Sequence, residues 1–325
     1  MRWGYNAGMF ARFAALMAVV AVGVAAWAQQ TSKPDLDPVF TDSEADIIKV
    51  DVARVPLLFT VTDKKNRFIT DLGREDFQVF DNGWLQEIRE FDRESDLPLR
   101  IGVILDTSNS IRPRFKFEQE VAIEFLQGVL AEAADRAFLV SFDTRAELIV
   151  DYTNDIEELA TGVRRLRAGG GTALYDAIYY ACRDKLPEDQ PKEQFRRALV
   201  VVGDGEDNRS TVTREDALEM AHRAESVVYT ISTNRSGHAA AGDKTLRRFA
   251  EETGGVAFHP FQARDLQQSF ANIANELRHQ YFILYSPSNF VNDGSFHSVE
   301  VRTKLRNATV RVRSGYYAPL PGEPD

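Results

Sequence analysis

The chain has a single cysteine, Cys182, so it can form no internal disulfide. It is also poor in histidine. His222, His238, His259, His279 and His297 show no His-x-x-x-His or related spacing, which leaves no ordinary zinc site. Positive charge is in short supply, with 39 Lys and Arg against 49 Asp and Glu for a net charge of −10. A surface that acidic is repelled by nucleic acid and by anionic membranes. Catalytic signatures are missing too: there is no Gly-x-Ser-x-Gly elbow, no His-Glu-x-x-His, no Gly-x-x-x-x-Gly-Lys and no Gly-x-Gly-x-x-Gly. The expectation is a protein that is not an enzyme.

Long apolar runs are confined to the beginning. Arg2 and Arg12 flank a basic start, Phe13 to Ala25 is a short apolar stretch, and Ala26-Trp27-Ala28 has the small-x-small form of a signal-peptidase site. Residues 1–28 therefore read as a secretory signal with a mature start near Gln29, an uncleaved anchor being the alternative. No cysteine lies beside the cut, so a lipid anchor there is not expected. Residues 29–46 are polar with two prolines and read as a flexible leader. The expected location is exported: periplasmic, cell-surface or secreted.

What the chain does have is Ile101-Gly102-Val103-Ile104-Leu105-Asp106-Thr107-Ser108-Asn109-Ser110. The apolar run reads as a buried strand that delivers an Asp and two Ser into the loop at its carboxyl end. In an open α/β sheet that is where ligands bind. The donors are all oxygen, one of them anionic, which suits a hard cation such as Mg²⁺. Gly169-Gly170-Gly171-Thr172 is a glycine loop ending in a hydroxyl before a helical pattern. Ala198 to Gly203 is a second buried-type strand, followed by Asp204-Gly205. Cys182 falls in the apolar helical pattern Ala173 to Cys182 and reads as a small core residue.

Together, Asp-x-Ser-x-Ser, the later Thr and the later Asp-Gly resemble the metal-ion-dependent adhesion site of the von Willebrand factor A (VWA) family. The resemblance implies that Ser108 and Ser110 bind Mg²⁺, or Mn²⁺ in its place, directly. It implies that Asp106 acts through a bound water, and that Thr172 and Asp204 bind directly or through water. A partner's Asp or Glu carboxylate would complete the shell. One departure stands out: many members carry Thr before the Asp-Gly, where this chain has Gly203. Glu206 and Asp207 read as solvated loop carboxylates, while Arg209 and Arg235 would offer positive charge nearby. Asn208-Arg209-Ser210, Asn234-Arg235-Ser236 and Asn307-Ala308-Thr309 match the glycosylation sequon and read as chance matches.

Strand and helix patterns alternate through residues 98–279. Strands are expected near 100–105, 137–142, 146–151, 198–203, 226–232 and 255–259. Helices are expected near 114–134, 154–166, 173–186, 213–224, 243–253 and 263–279. This pattern predicts a doubly wound, mostly parallel α/β sheet. The flanks, 47–97 and 280–318, look all-β, with Gln86 to Phe91 reading as one alternating strand and 319–325 as a tail. Asp81-Asn82-Gly83 and Gly315-Tyr316-Tyr317-Ala318 in these flanks resemble the bacterial exported "VWFA-related" proteins. A few strands at each end cannot bury a face alone, whereas pooled strands can. The two flanks are therefore expected to form one β-sandwich beside the α/β domain. The function that follows is an exported adhesion-type module. It would capture a protein partner's carboxylate through Mg²⁺, with no nucleic acid and no membrane beyond the signal or anchor. Alternatives are a cell-envelope assembly protein using the fold as a scaffold and, further off, an uncharacterised hydrolase.

Overall fold

The computed structural model describes residues 53–93, 97–188, 195–234, 241–260 and 262–321. The expectations for the signal, its cleavage site and the leader lie outside the described residues, as do Arg235 and His238.

The central sheet is built on β5 (Leu99–Asp106), buried at every position because both its faces are covered by helices. Its neighbours are β6 (Arg136–Phe142) and β8 (Arg196–Gly203), both parallel to it. Beyond β8 come β9 (Val227–Ser232) and β10 (Ala257–Phe258), and beyond β6 comes the antiparallel edge strand β7 (Ala146–Thr153). Side-chain alternation splits the core in two. Ile101, Val103 and Leu105 meet α1 (Phe115–Val129), α2 (Ile156–Arg165) and α6 (Ala263–Arg278). Ile104 meets the opposite layer of α3 (Leu174–Tyr180), α4 (Arg214–Arg223) and α5 (Ala241–Thr253). This is the doubly wound α/β architecture expected from the strand–helix alternation.

Local chemistry explains where two of the helices begin. Asp155 starts α2 by accepting from the amides of Glu157 and Glu158, and Thr213 and Asp216 form a capping box on α4. Two ends differ from the periodicity. The expected helix 114–134 stops at Val129, because buried Asp135 draws the chain into a turn. Its carboxylate accepts from Leu99 N at 2.9 Å and from Glu132 N at 3.0 Å. The expected helix 173–186 holds as α3 only to Tyr180, after which Ala181–Lys185 loosens into a π turn. There Lys185 Nζ pairs with Asp151 at 2.6 Å.

The flanks form two further four-stranded sheets. One runs β13 (Thr309–Arg311), β1 (Val55–Thr62), β11 (Tyr281–Tyr285), β4 (Ile88–Asp92). The other runs β14 (Gly315–Tyr317), β12 (Phe296–Thr303), β2 (Phe77–Asp81), β3 (Trp84–Gln86). Each sheet mixes strands from both ends of the chain. Leu57, Phe59, Val79, Tyr281, Ile283 and Val301 form their shared core. This is the β-sandwich of N- and C-terminal segments that the flank patterns imply. The alternating stretch 86–91 is not one strand, however. It breaks at Glu87, so that β3 joins one sheet and β4 the other.

One buried carboxylate ties the two sheets together. Asp81, on β2, accepts from the hydroxyls of Tyr285 on β11 and Tyr316 on β14, both at 2.8 Å. His297 Nδ1 of β12 lies 2.9 Å from its other oxygen. An otherwise costly buried charge is thus met by several polar groups at once.

Candidate functional site

Strand order fixes where a site can form. The chain runs from β5 to β6 on one side and later returns to β8 on the other. The carboxyl ends of β5 and β8 therefore border a crevice at a topological switch point. Asp106 ends β5, and Asp204 follows Gly203 at the end of β8.

After β5 the chain folds over itself. Asp106 Oδ1 accepts from Ser108 N at 2.7 Å, a side-chain turn that holds the loop. The next groups form a chain of oxygens: Ser108 Oγ lies 2.9 Å from Ser110 Oγ, which donates to Asp204 Oδ2 at 2.7 Å. Asp204 Oδ1 accepts from Glu206 N at 3.0 Å. Asp106 and Ser108 are each 2% exposed and lie at the bottom of the crevice, while Asp204 is half-buried and Ser110 exposed above them.

The remaining predicted donor, Thr172, is held through its backbone. Its amide donates to Asn208 Oδ1 at 3.1 Å, and its carbonyl accepts from the amides of Asn208 and Arg209. The glycine loop before it is pinned from three sides. Gly169 N donates to Thr107 O at 2.6 Å, Asn109 Nδ2 to Gly170 O at 3.2 Å, and Gly171 N to Thr144 Oγ1 at 3.1 Å. Gly170 has φ +81°, the left-handed region that favours glycine. The structure thus links Ser108, Ser110 and Asp204 by side-chain hydrogen bonds. Thr172 comes to the same rim without a side-chain bond to them.

The donor set has one unsatisfied member. Asp106 Oδ2 is buried and has no hydrogen-bond partner among the described residues. Burial pushes this carboxyl up to about 6; the amide and hydroxyl of Ser108 oppose the shift, and the charge of Asp204 adds to it. Two carboxylates and two hydroxyls converge with no positive group hydrogen-bonded to them among the described residues, and a buried acceptor is left over. That is the balance a divalent cation corrects, so these residues fit the Mg²⁺ implied by the sequence. Gly203 lies directly against this corner. A Cβ there would meet Asp106 Cβ and Oδ2 at 3.1 Å, so the absence of the family's usual Thr leaves room beside Asp106.

Several supporting residues carried no sequence signal of their own. Thr107 is fixed by two bonds to Phe142 O, from its amide at 2.8 Å and its hydroxyl at 3.1 Å. Asp207 is not merely solvated: its Oδ2 accepts from Tyr175 N at 3.0 Å and from Ser210 Oγ at 2.6 Å. Glu206 Oε1 accepts from Gly242 N at 3.2 Å, fastening the Asp-Gly turn to the start of α5. Asn234 Nδ2 is committed to Asp204 O and Asp243 Oδ1, both at 3.0 Å, so that sequon asparagine has a structural task. Arg209 is exposed, and its stem covers Gly171. Cys182 is buried and its thiol is pushed up to about 12 by desolvation, the behaviour of an inert core residue.

Residues 101–206 match the von Willebrand factor type A domain family. No curated protein matches the chain. Among solved structures, it is similar to a von Willebrand factor type A protein from Catenulispora acidiphila, at 13% identity over 84% of this chain and 76% of that one, TM-score 0.48. It is also similar to the vWF domain of the type V pili tip protein Mfa5 from Porphyromonas gingivalis, at 15% identity over 55% of this chain and 94% of that one, TM-score 0.47. A variant of the PilB minor pilin from Streptococcus sanguinis aligns at 14% identity over 57% of this chain, TM-score 0.46. The chain spans 62% of that pilin's length.

Proposed function

We propose that this chain, which carries a VWA domain, is an exported binding module that captures a protein partner through a divalent cation. Ser108, Ser110 and Asp204 would hold Mg²⁺, with Asp106 and Thr172 completing the set. The observation that carries this reading is the buried, unpartnered Asp106 Oδ2 beside a hydroxyl–carboxylate chain. When bound, the cation supplies an open coordination position for an incoming Asp or Glu carboxylate. The protein's own part is to hold the donors still. The Asp106–Ser108 turn sets the first loop, the pinned glycine loop sets Thr172, and Glu206 anchors the Asp-Gly turn to α5. No step of this function breaks or makes a covalent bond, in keeping with a protein that is not an enzyme.

The test is calorimetric titration of Mn²⁺ and Mg²⁺ into the mature protein, wild type against Asp106→Ala, with and without added glutarate as a carboxylate probe. Micromolar-to-millimolar binding that strengthens with glutarate and vanishes in the variant is expected. Absence of binding in the wild type under both conditions would overturn the reading.

Export rests on the charged, apolar and small-x-small order of residues 1–28. Among the described residues no helix is long and apolar enough to cross a membrane. We divide the chain as the sequence suggests, with 98–279 as the VWA domain and 47–97 joined to 280–318 as its sandwich. One observation favours a second reading, an envelope assembly protein that uses the sandwich. Edge strand β3 exposes Trp84 at 66% and Leu85 at 59%. Chelation separates the two, since assembly through β3 survives it and carboxylate capture does not.

A further inference from the structure

Between α1 and α2 runs an open groove of about 570 Å³. Phe115, Ile123 and Leu166 reach its floor, each packed into the core behind it. Its rim is basic: Arg112, Lys116, Arg164 and Arg167 line it, and all four are exposed. Glu120 is the one acidic residue of the lining.

These cations are not neutralised locally. Among the described residues, only Arg164 of these four has a carboxylate partner, Glu157 at 2.9 Å, and both are exposed. Arg112 donates to Ala168 O at 3.3 Å, and Arg167 to carbonyls at the end of α2 and just beyond it, Arg164 O at 2.9 Å and Leu166 O at 2.8 Å. Lys116 has no ion-pair partner among the described residues. In a chain of net charge −10, the groove inverts the sign of its surroundings. Position adds to this. Ala168, which accepts from Arg112, precedes Gly169, whose amide bonds Thr107 O next to Ser108. One end of the groove therefore abuts the loops of the candidate metal site.

We propose that this groove docks an acidic peptide segment of a partner protein, one that alternates carboxylates with apolar side chains. Carboxylates would meet the rim, where Arg can engage them bidentately, and apolar side chains would settle on the floor. A uniform polyanion fits less well, because the floor is apolar, Glu120 interrupts the rim, Glu157 pairs with Arg164, and the net charge of the chain repels it. The groove belongs to the same partner as the proposed cation site, but its cations sit on α1, α2 and their flanks. Docking here needs no metal.

The test uses the full mature chain in chelator, so that it reads the groove apart from the cation site. Binding of a fluorescein-labelled Leu-Glu-Glu repeat peptide is followed by anisotropy at physiological salt. Wild type should bind it, a Leu-Lys-Lys repeat should not bind, and Lys116→Glu with Arg164→Glu should weaken binding roughly tenfold or more. The milder pair Lys116→Gln with Arg164→Gln should fall between, and unchanged circular dichroism shows that these surface variants fold. Equal affinity in wild type and charge-reversed protein would overturn the proposal. So would a single-stranded oligonucleotide that binds as tightly as the peptide and displaces it, since that would mark a generic polyanion surface. Loss of Mn²⁺ binding in the preceding experiment would leave this result untouched.

Discussion

His222 shows how a single side chain ties acid sensitivity to the packing of the sandwich on the α/β domain. It lies on α4, buried, with its ring edge-on to Phe296 at 5.5 Å and tilted against Tyr317 at 6.3 Å. Desolvation, reinforced by the charge of Arg313, lowers its pKa to about 4, while Glu252 and the backbone at Gly315 pull the other way. The folded pKa lies below the unfolded value near 6.5, so the unfolded chain takes up the proton first. Stability from this residue is complete above about pH 6.5 and is lost as pH falls towards 4, on the order of 2 to 3 kcal/mol. Buried Glu276, held up by desolvation against the opposing charge of Arg311, contributes with the opposite sign. The clean measurement is therefore a comparison. Urea unfolding at pH 7 and pH 4.5 should show wild type losing that much more than His222→Leu. An equal loss in both would refute the assignment. At the same scale, the meeting of Ser108, Ser110 and Asp204 was legible, because an apolar strand ending in Asp or Gly-Asp announces its own carboxyl end. The roles of Asn208, Thr107 and Thr144 were not, since each acts across loops distant in sequence and leaves no local pattern.

Helices and strands were located by their periodicity, but their ends were decided by tertiary contacts. The run after Val129 has helical composition, Ala131-Glu132-Ala133-Ala134, yet it is not helix. Asp135 overrides that propensity by taking the first amide of β5 and the amide of Glu132. Asp135→Ala would leave Leu99 N buried without its acceptor, a loss of about 1 to 3 kcal/mol. The expected readout is a lower urea midpoint with an unchanged slope; a midpoint within error of wild type would show that water replaces the carboxylate. Glu87 is a parallel case. Alternation runs straight through it, and only the demand for partners in two different sheets breaks the strand there.

Across the whole molecule, the need to pool strands was legible and the order of the pooling was not. Period-two patterns say which faces are buried, while pairing over more than two hundred positions leaves no mark on either segment. The order has a definite consequence: β11 lies between β1 and β4, and β12 lies between β2 and β14. Deleting residues 280–318 takes β11 and β13 from one sheet, parting β1 from β4, and strips β12 and β14 from the other, leaving only the β2–β3 pair, so neither sheet is complete. Limited proteolysis of that truncated chain should cut within 53–93 while leaving the α/β core protected. Survival of 53–93 would mean that the N-terminal strands hold together alone. Arg311 and Glu276, paired at 2.7 Å, link the sandwich to α6, as Ser314 and Glu252 link it to α5 at 2.6 Å.

Asp81, early in the chain, must wait for Tyr316, 235 positions later, before its carboxylate is satisfied. Synthesis delivers residues 53–93, with apolar faces exposed and strand edges unpaired, well before their partners in 281–317. Between those moments lies the entire α/β domain, whose parallel strands must find one another over long stretches of chain before the sandwich can close. The sandwich is thus the clasp of this molecule. It shuts only when residues 281–317 have emerged, and until then the strands of 53–93 are vulnerable to pairing with the wrong chain.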